Sequence, residues 1–324
     1  MTEKALCPFQ DAARAGAQFL RLQLYDKTGT IQAVMWEQAA EGYRCCADVP
    51  IVRVRGKVTS YRDQPQLVVE GIWSVDPLQV NLEDFQATSA RSRRDMVAEL
   101  QQLVEELENN YLRALIQSFL DDRQFLVAFA NSPAAKAIHH AYIGGLLEHT
   151  LETVSICKEL ARLYPQFIDL DLLLSGAILH DIGKIKEYDA QKINFEVTDM
   201  GKLLGHIIIG AQMVAETIKT LEGFPPFLAT ELLHMIISHH GKREWGSPEP
   251  PKTMNAFALH HADYLSAQIS HFSQVVVKHR DSGSQWTPFD GKLERSVYLG
   301  FLNLDQEDGI KSSGKDMPAQ EELI

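Results

Sequence analysis

The sequence predicts a multidomain protein in which a small N-terminal β-barrel precedes an all-α helical bundle. Hydrophobic residues alternate with a period of two up to about residue 75, and recur with a helical period from about residue 93. Single histidines and aspartates also recur along the helical part. The predicted divisions are a barrel over residues 1–80, a helical linker over 81–125, a helical domain over 126–285, and a partly mobile C-terminal extension over 286–324.

The bulk composition is that of an ordinary globular protein, with 45% hydrophobic and 23% charged residues among 324. The start, MTEKALCPFQDAARAGAQ, lacks the basic and apolar regions of a signal peptide. No stretch approaches the roughly 18 uninterrupted apolar residues of a membrane span. The four cysteines show no CxxC spacing, which predicts reduced thiols. We therefore expect a cytoplasmic protein without a membrane partner, and a homo-oligomer is compatible with the sequence.

The net charge of −12 argues against attracting nucleic acid through overall charge. The charge is unevenly distributed, because residues 1–94 contain 12 of the 31 Lys and Arg but only 11 of the 43 Asp and Glu. The acidity therefore belongs to the helical part. A local basic face on the barrel remains compatible with nucleic-acid binding.

The first predicted hairpin lies in FLRLQLYDKTGTIQAVMW, residues 19–36. Leu20, Leu22 and Leu24 alternate with polar residues and are predicted to face the core. Asp26 to Gly29 have the composition of a turn. The region before Phe19 gives no clear first strand, so we expect the barrel to be incomplete or irregular at its start.

The second predicted hairpin lies in IVRVRGKVTSYRDQPQLVVEGI, residues 51–72, with its turn at 61–64. Val52, Val54 and Val58 alternate with Arg53, Arg55 and Lys57, which places the basic residues on one strand face and the valines on the other. Gly56, in mid-strand, indicates a bulge or bend. Four or five short strands in about 75 residues are typical of a small barrel.

The helical part begins with a stripe of apolar residues from Met96 to Leu107. Later segments are separated by Pro, Gly or Asp, which often mark helix ends. The further predicted helices are 145–163, 170–182, 199–221, 226–239 and 253–279.

Metal-ligating residue types fall one or two per predicted helix. Helices packed as a bundle can direct such side chains into one shared cavity. Imidazole and carboxylate together suit Mn²⁺, Fe, Ni, Co or Zn. Taken singly, each histidine is equally compatible with a hydrogen-bonded core residue or a helix-end cation. The candidate ligands are His149, His180, Asp181, His206, His239, His240 and Asp263.

The order His149, His180-Asp181, Asp263 resembles the H…HD…D signature of the HD-domain metal-dependent phosphohydrolases. His206 and His239-His240 resemble the additional ligands of its two-metal members. With the barrel ahead of it, the chain is similar to the bacterial OB-fold plus HD-domain 3′→5′ exoribonucleases of the YhaM type. The strings that support this are FLRLQLYDKTGTI, HHAYIGGLLEHT, AILHDIGKIKEY and IISHHGKREWGSPEPP.

The resemblance implies metal-dependent hydrolysis of single-stranded RNA, and also of single-stranded DNA. It implies two divalent transition-metal ions, Mn²⁺ foremost, which share Asp181 and activate a water molecule for attack on phosphorus. One ion would use His149, His180, Asp181 and Asp263. The other would use Asp181, His206 and one or both of His239 and His240.

Gly183 and Lys184, which closely follow Asp181, are expected to support this ligand set. Lys184, on the loop leaving the helix, would be catalytic together with Asp181 and contact a substrate phosphate. A solvated lysine is the alternative interpretation. Gly183 would end the helix in a left-handed conformation.

Aromatic and basic residues alternate on the predicted barrel strands, as in barrels that stack bases along a positive groove. A solvated polar face is the alternative interpretation. The candidate nucleic-acid-binding residues are Arg21, Tyr25, Trp36, Arg53, Arg55, Lys57 and Tyr61.

Two other functions use the same features. An HD-domain nucleotide phosphohydrolase or cyclic-dinucleotide phosphodiesterase would use the same metals. The chain has Gly-Ser-Pro-Glu-Pro after its paired histidines where the cyclic-dinucleotide enzymes have Gly-Tyr-Pro, which disfavours the second of these. A non-enzymatic single-strand-binding protein would need none of the ligand residues.

Overall fold

The chain divides into two compact units, Met1–Ser266 and Ala267–Ile324. In the second unit, Val275, Leu293 and Val297 form a small apolar core. Within the described ranges, no helix combines the length and apolar character that crossing a bilayer requires. The predicted extension beyond residue 300 lies outside the described residues. The computed structural model describes residues 3–9, 16–46, 49–76, 79–135, 140–189 and 195–300.

The N-terminal region is a five-stranded sheet in the order β1-β2-β3-β5-β4. Neighbouring strands are antiparallel, except for the parallel pair β3 and β5. Leu20 and Leu22 are buried in its core, which confirms the predicted alternation of the second strand. The elements are β1 (Glu3–Pro8), β2 (Gln18–Asp26), β3 (Gly29–Met35), α1 (Ala39–Cys45), β4 (Val52–Tyr61) and β5 (Gln64–Ser74).

One expectation about these strands is wrong. A regular first strand exists, since β1 pairs with β2 from Glu3 opposite Gln23 to Pro8 opposite Gln18. Val58 lies opposite Leu67 on the core face of the sheet, as the alternation predicts, but 67% of it is exposed. β4 is an edge strand, and Val58 lies near its hairpin end, beyond the residues that pack in the core.

The predicted turns and bulge are confirmed. Arg62 and Asp63 have φ values of 52° and 60°, the left-handed pair of a tight hairpin turn. The β4–β5 register shifts between Arg55 and Gly56. A side chain at Gly56 would place its Cβ 2.1 Å from the Val68 carbonyl oxygen, so only glycine permits this close approach.

The remainder of the first unit is a helical bundle, and its last helix, α10, continues past Ser266 into the second unit. Predicted helices 145–163, 170–182, 199–221, 226–239 and 253–279 each correspond to an observed helix, with ends that differ by at most three residues. The elements are α2 (Arg93–Glu105), α3 (Asn110–Leu120), α4 (Arg123–Asn131), α5 (Gly145–Leu163), α6 (Leu170–Leu179), α7 (Lys184–Glu187), β6 (Tyr188–Asp189), β7 (Glu196–Val197), α8 (Asp199–Thr220), α9 (Pro226–Ser238) and α10 (Met254–His279).

One hydrophobic core unites these helices. Leu147 of α5, Leu173 of α6 and Leu232 of α9 are buried in it. Leu100 of α2 and Leu112 of α3, from the segment predicted as a linker, belong to the same core. The bundle that carries the candidate ligands is therefore stabilised in part by the helices that follow the barrel.

Gly183 was expected to end α6 in a left-handed conformation, and this is wrong. Its φ and ψ are −62° and −20°, an ordinary helical conformation at the start of α7. Its small size matters instead, because α8 crosses directly against it. A Cβ at Gly183 would lie 2.0 Å from the His206 carbonyl oxygen and 2.6 Å from the Gly210 nitrogen.

We predict that Gly183→Ala destabilises the fold by about 1–3 kcal/mol, the usual cost of overpacking. The added methyl group must separate α7 from the backbone of α8, since both contacting atoms belong to the main chain. Urea denaturation measures the free energy of unfolding. Gly291→Ala is the matched control, because no atom lies within 4 Å of a Cβ there. Equal stability of the two variants would contradict the packing argument.

Candidate metal centre

The seven predicted ligands lie together at one place in the bundle. The ligand atoms of His149, His180 and Asp263 lie within 4.8 Å of one another. The ligand atoms of His206, His239 and His240 form a second group, and they too lie within 4.8 Å of one another. The first group joins α5, the end of α6 and α10, whereas the second joins α8 and the end of α9.

Asp181 lies between the two groups and directs one oxygen toward each. Its Oδ2 is 3.3 Å from His180 Nε2 and 3.7 Å from His149 Nε2. Its Oδ1 is 3.4 Å from His206 Nε2 and 3.6 Å from His239 Nε2. The side chain is 3% exposed, so these contacts are formed away from bulk water.

Several polar atoms around Asp181 have no hydrogen bond within the described part of the chain. They are Asp181 Oδ1 and the Nε2 atoms of His180, His206 and His239. Buried polar atoms are nearly always hydrogen-bonded, so four exceptions directed at one place call for a ligand that accepts lone pairs. Imidazole nitrogen and carboxylate oxygen are the donors that divalent transition metals prefer. The residues therefore fit a metal.

The opposite ring nitrogens of these histidines are engaged by the protein. His180 Nδ1 lies 2.8 Å from the Ala177 carbonyl oxygen, and His239 Nδ1 lies 2.7 Å from that of Ile236. A carbonyl can only accept, so each Nδ1 donates. In the neutral ring the lone pair then lies on Nε2, the tautomer that a metal ligand requires.

His206 is held by Glu187 at the end of α7. The backbone N–H of His206 donates to Glu187 Oε1 at 3.2 Å, and His206 Nδ1 donates to Oε2 at 3.0 Å. The preceding residue, Gly205, has φ +71° and interrupts α8 with a kink. The two contacts fix both the backbone and the ring just after the kink. No pattern in the sequence predicted this role for Glu187.

His149 is held by two further residues that sequence reasoning missed. The Ser266 hydroxyl donates to Glu152 Oε2 at 2.8 Å and lies 3.1 Å from His149 Nδ1. Since the Ser266 proton goes to Glu152, its oxygen accepts from Nδ1. His149 Nε2 then faces Asp263 Oδ1 at 3.0 Å.

Lys184 was expected on a loop, but it begins α7 and is 6% exposed. Its Nζ lies 2.5 Å from Asp181 Oδ2. Both the position on a loop and the solvated alternative are therefore wrong. The protein itself supplies one buried cation to the shared carboxylate.

The charge states suit metal binding. Burial would raise the pKa of Asp181, but Lys184 and His180 hold it well below its ordinary value. Burial lowers the pKa of His239, and that of His240 to about 4, so both rings are neutral near pH 7. Burial opposes protonation of His180 too, but Asp181 raises the pKa of His180. A metal ion would replace that proton.

The predicted nucleic-acid-binding residues are divided among several places on the barrel. Arg21 pairs with Val34, Val34 with Val68, and Val68 with Lys57, so Arg21 and Lys57 lie on one face of the sheet. Tyr25 instead is half-buried and lines a cavity of about 430 Å³.

The remaining barrel candidates lie on or near β4. Arg53 and Arg55 are exposed on β4, and the Arg55 guanidinium lies 5.9 Å from the centre of the Trp73 ring. Tyr61 lies at the end of the β4–β5 hairpin, with Arg62 5.3 Å from its ring. Trp73 was not among the candidates, although it pairs with Arg53 across the strands.

Trp36 belongs to an aromatic cluster that sequence reasoning recognised only in part. Its ring centre lies 5.0 Å from that of Phe19 and 5.9 Å from that of Phe9. Period-two alternation places Phe19 on the same strand face as Arg21, so the sequence contained the signal for Phe19. Phe9 follows β1, whose existence was not predicted.

The chain matches two family descriptions. "HD domain" covers residues 146–268, and "OB-fold nucleic acid binding domain" covers residues 9–75. These matches confirm the predicted order of an OB-fold barrel and an HD-domain bundle. All seven candidate ligands lie within the HD match.

Curated relatives match most of the chain. The protein named 3′-5′ exoribonuclease YhaM from Bacillus subtilis (strain 168) is 36% identical over 267 residues, 82% of this chain and 83% of the relative. The protein of the same name from Shouchella clausii (strain KSM-K16) is 38% identical over 261 residues, 80% of each. That from Geobacillus sp. (strain WCH70) is 35% identical over 269 residues, 82% of this chain and 81% of the relative. No solved structure matches the chain.

We predict that divalent metal stabilises the protein. A metal that binds only the folded state, at a hundredfold excess over its dissociation constant, adds about 2.7 kcal/mol per site. This corresponds to a rise in Tm of about 5–10 °C for a domain of this size. Thermal unfolding of chelator-treated protein with and without Mn²⁺ measures the rise.

His239→Ala removes one of the unbonded Nε2 atoms and should lose much of this increase in Tm. His279→Ala, in the last turn of α10, is the control and should keep it. If His239→Ala gains as much as the unaltered protein, the assignment of the metal site is wrong.

Proposed function

The chain belongs to the family of YhaM 3′-5′ exoribonucleases, and on this premise we propose that it removes nucleotides from the 3′ end of single-stranded RNA. Membership rests on relatives that are 35–38% identical over about four fifths of the chain. We place RNA before single-stranded DNA as the substrate because the relatives are named exoribonucleases. We also propose that the enzyme acts in the cytoplasm, which is consistent with four free cysteines.

One observation supports this activity above the others, namely the position of Asp181 between two groups of three ligand-type residues. We propose that His149, His180 and Asp263 hold one metal ion with Asp181 Oδ2. His206, His239 and His240 would hold a second with Asp181 Oδ1. A pair of such ions supplies an activated water molecule and neutralises charge on a phosphodiester. Of the metals that suit this donor set, we propose Mn²⁺, because the set includes the carboxylates of Asp181 and Asp263 and carboxylate oxygen is a donor that suits Mn²⁺.

The side chains around the site would prepare it before substrate arrives. The carbonyl and carboxylate partners of the Nδ1 atoms keep the imidazoles in one tautomer and one orientation. Asp181 remains ionised because its pKa is low. We propose that Lys184 gives up part of its contact with Asp181 when metal binds and then pairs with a substrate phosphate as a point charge.

The barrel would capture the strand before cleavage. Arg21 and Lys57 share one sheet face, and Trp36 lies in an exposed aromatic cluster. Backbone phosphates would contact the basic residues, while bases stack on the rings without sequence readout. The names of the relatives favour this enzyme over a non-enzymatic binding protein, and no feature of the site favours a cyclic dinucleotide.

We predict that Asp181→Asn abolishes RNA cleavage and leaves RNA affinity within a few-fold. The amide keeps the shape of the side chain but cannot supply two charged oxygens to metal. Oligonucleotides labelled at the 3′ or the 5′ end show both the loss and the polarity of cleavage in the unaltered enzyme. Asp199→Asn, an exposed carboxylate at the start of α8, is the control. Cleavage by Asp181→Asn at the original rate would refute the site.

We further predict that replacing Arg53, Arg55 and Lys57 by alanine weakens RNA binding and flattens its dependence on salt. Each lost phosphate contact lowers the slope of log affinity against log salt by about 0.7 for a single strand, so the triple variant should lose about two units. Fluorescence anisotropy over a range of salt concentrations measures the slope. Lys27→Ala, in the turn between β2 and β3 rather than on β4, should keep the original slope. If log affinity falls with log salt at the same slope for the unaltered protein and both variants, this face of β4 does not bind RNA.

A further inference from the structure

The loop after His240 carries an aromatic residue at the edge of the metal centre. Trp245 ends a single 3-10 turn, Arg243–Trp245, and is 44% exposed. Its carbonyl oxygen accepts from His240 Nδ1 at 2.9 Å, so its backbone supports a candidate ligand. Its ring is not part of that contact.

The loop is held in place without the Trp245 ring. The Ser247 hydroxyl is buried and lies 3.1 Å from the Ile237 carbonyl oxygen and 2.9 Å from that of Glu249. Gly241, with φ +79°, brings the loop against His260, where any Cβ would lie 2.2 Å from the imidazole ring. A large exposed indole is therefore not required to fix the loop.

The Trp245 ring stacks on Tyr264 of α10. The two rings are nearly parallel at 10°, with centres 5.5 Å apart, and Tyr264 is also 44% exposed. Tyr264 directly follows Asp263, a candidate ligand of the first group, whereas Trp245 supports His240 of the second group. The stacked pair is thus linked to both ligand groups, through the Trp245 backbone to His240 and through the chain to Asp263.

A cation accompanies the pair. Lys242 Nζ lies 4.5 Å from the centre of the Trp245 ring. Nearby Arg243 and Lys252 both pair with Glu249, but Lys242 has no carboxylate partner among the described residues. An exposed contact between an ammonium and a ring is weaker than stacking of a base on the same ring. A base can therefore displace Lys242, whose charge then becomes available to a phosphate.

We propose that Trp245 and Tyr264 form a stacking subsite for one base of the single strand, close to the phosphodiester that is cleaved, with Lys242 on an adjoining phosphate. This inference rests on the proposed exonuclease function and adds a base-binding element within the HD domain itself. The occupant is a nucleobase of an RNA strand because flat exposed rings, a free ammonium and a phosphodiesterase-type metal centre occur side by side. The subsite would hold the end of the strand in register for cleavage.

The test compares Trp245→Ala with RNA substrates that each lack one base. A single abasic nucleotide is moved stepwise from the 3′ end, and kcat/KM is measured for the unaltered enzyme and the variant. On intact RNA, Trp245→Ala should lose roughly tenfold in kcat/KM, the scale of one lost base stack. At one abasic position the unaltered enzyme should lose a similar factor in kcat/KM. At that position Trp245→Ala should show no loss beyond the one it already shows on intact RNA. If the loss from the substitution and the loss from the abasic nucleotide multiply at every position, the proposed subsite is wrong.

Two further measurements separate this role from a structural one. The same comparison, made by anisotropy with short labelled RNA in chelator, reports binding without cleavage, and the same single position should show the non-additive loss. The rise in Tm on adding Mn²⁺ should be unchanged in Trp245→Ala, and its loss would overturn the proposal by showing that the ring supports the metal ligands. Phe167→Ala, an exposed ring between α5 and α6, is the control and should behave as the unaltered enzyme.

The cleavage and binding measurements also distinguish failure of the proposed subsite from failure of the proposed exonuclease function. If the unaltered enzyme fails to cleave intact RNA, the proposed function is wrong, and the binding comparison still decides whether a base stacks on Trp245. If RNA is cleaved but losses are additive in both comparisons, the function stands and the subsite is excluded.

Discussion

The arrangement of the helical domain depends on one carboxylate that is almost entirely removed from water. Burying an ionised aspartate is costly unless cations or hydrogen-bond donors surround it. Around Asp181 the chain supplies Lys184 and four imidazoles, and three of these, His180, His206 and His239, have an Nε2 without a hydrogen bond among the described residues. Such a site is only partly compensated by the protein, which is the physical reason that it requires metal. The same incompleteness makes the site useful, since open coordination can pass to a substrate phosphate.

The precision of the site comes from backbone contacts more than from the ligands. His180 and His239 donate Nδ1 to carbonyls three residues earlier, at the ends of their own helices. Gly183 allows the main chain of α7 to lie against α8, which brings Asp181 and His206 within reach of each other. These two rings are thus oriented by the helices that carry them, whereas His149 and His206 are held by side chains from other elements. Glu187 is one of those, placed at the kink where helical geometry alone would not fix the ring.

What the sequence could predict follows from the range of the interactions. Helix positions depend on local patterns, and the sequence predicted the ends of these helices within a few residues. The ligand-type residues on those helices are equally local features of the sequence. The resemblance implied how the candidate ligands divide into two groups around Asp181, and the structure brings the same residues close together. Roles that depend on a distant partner had no local signature. Ser266 and Glu152 act together on His149 across 114 positions, and Gly183 is set by a helix more than twenty residues later. Val58 continued a correct alternation past the end of the core.

The charge distribution explains why the chain would combine two modes of nucleic-acid contact. The helical part is acidic and would repel a polyanion at long range, whereas residues 1–94 contain nearly equal numbers of basic and acidic side chains. Bound divalent metal would offset part of that acidity where the phosphate must arrive. Away from the metals, attraction has to come from contacts that act at short range, and stacking on aromatic rings is of that kind. Trp36 on the barrel and Trp245 beside His240 are exposed rings of this kind. A strand would then be held by its bases as much as by its phosphates, which suits a site in an acidic domain.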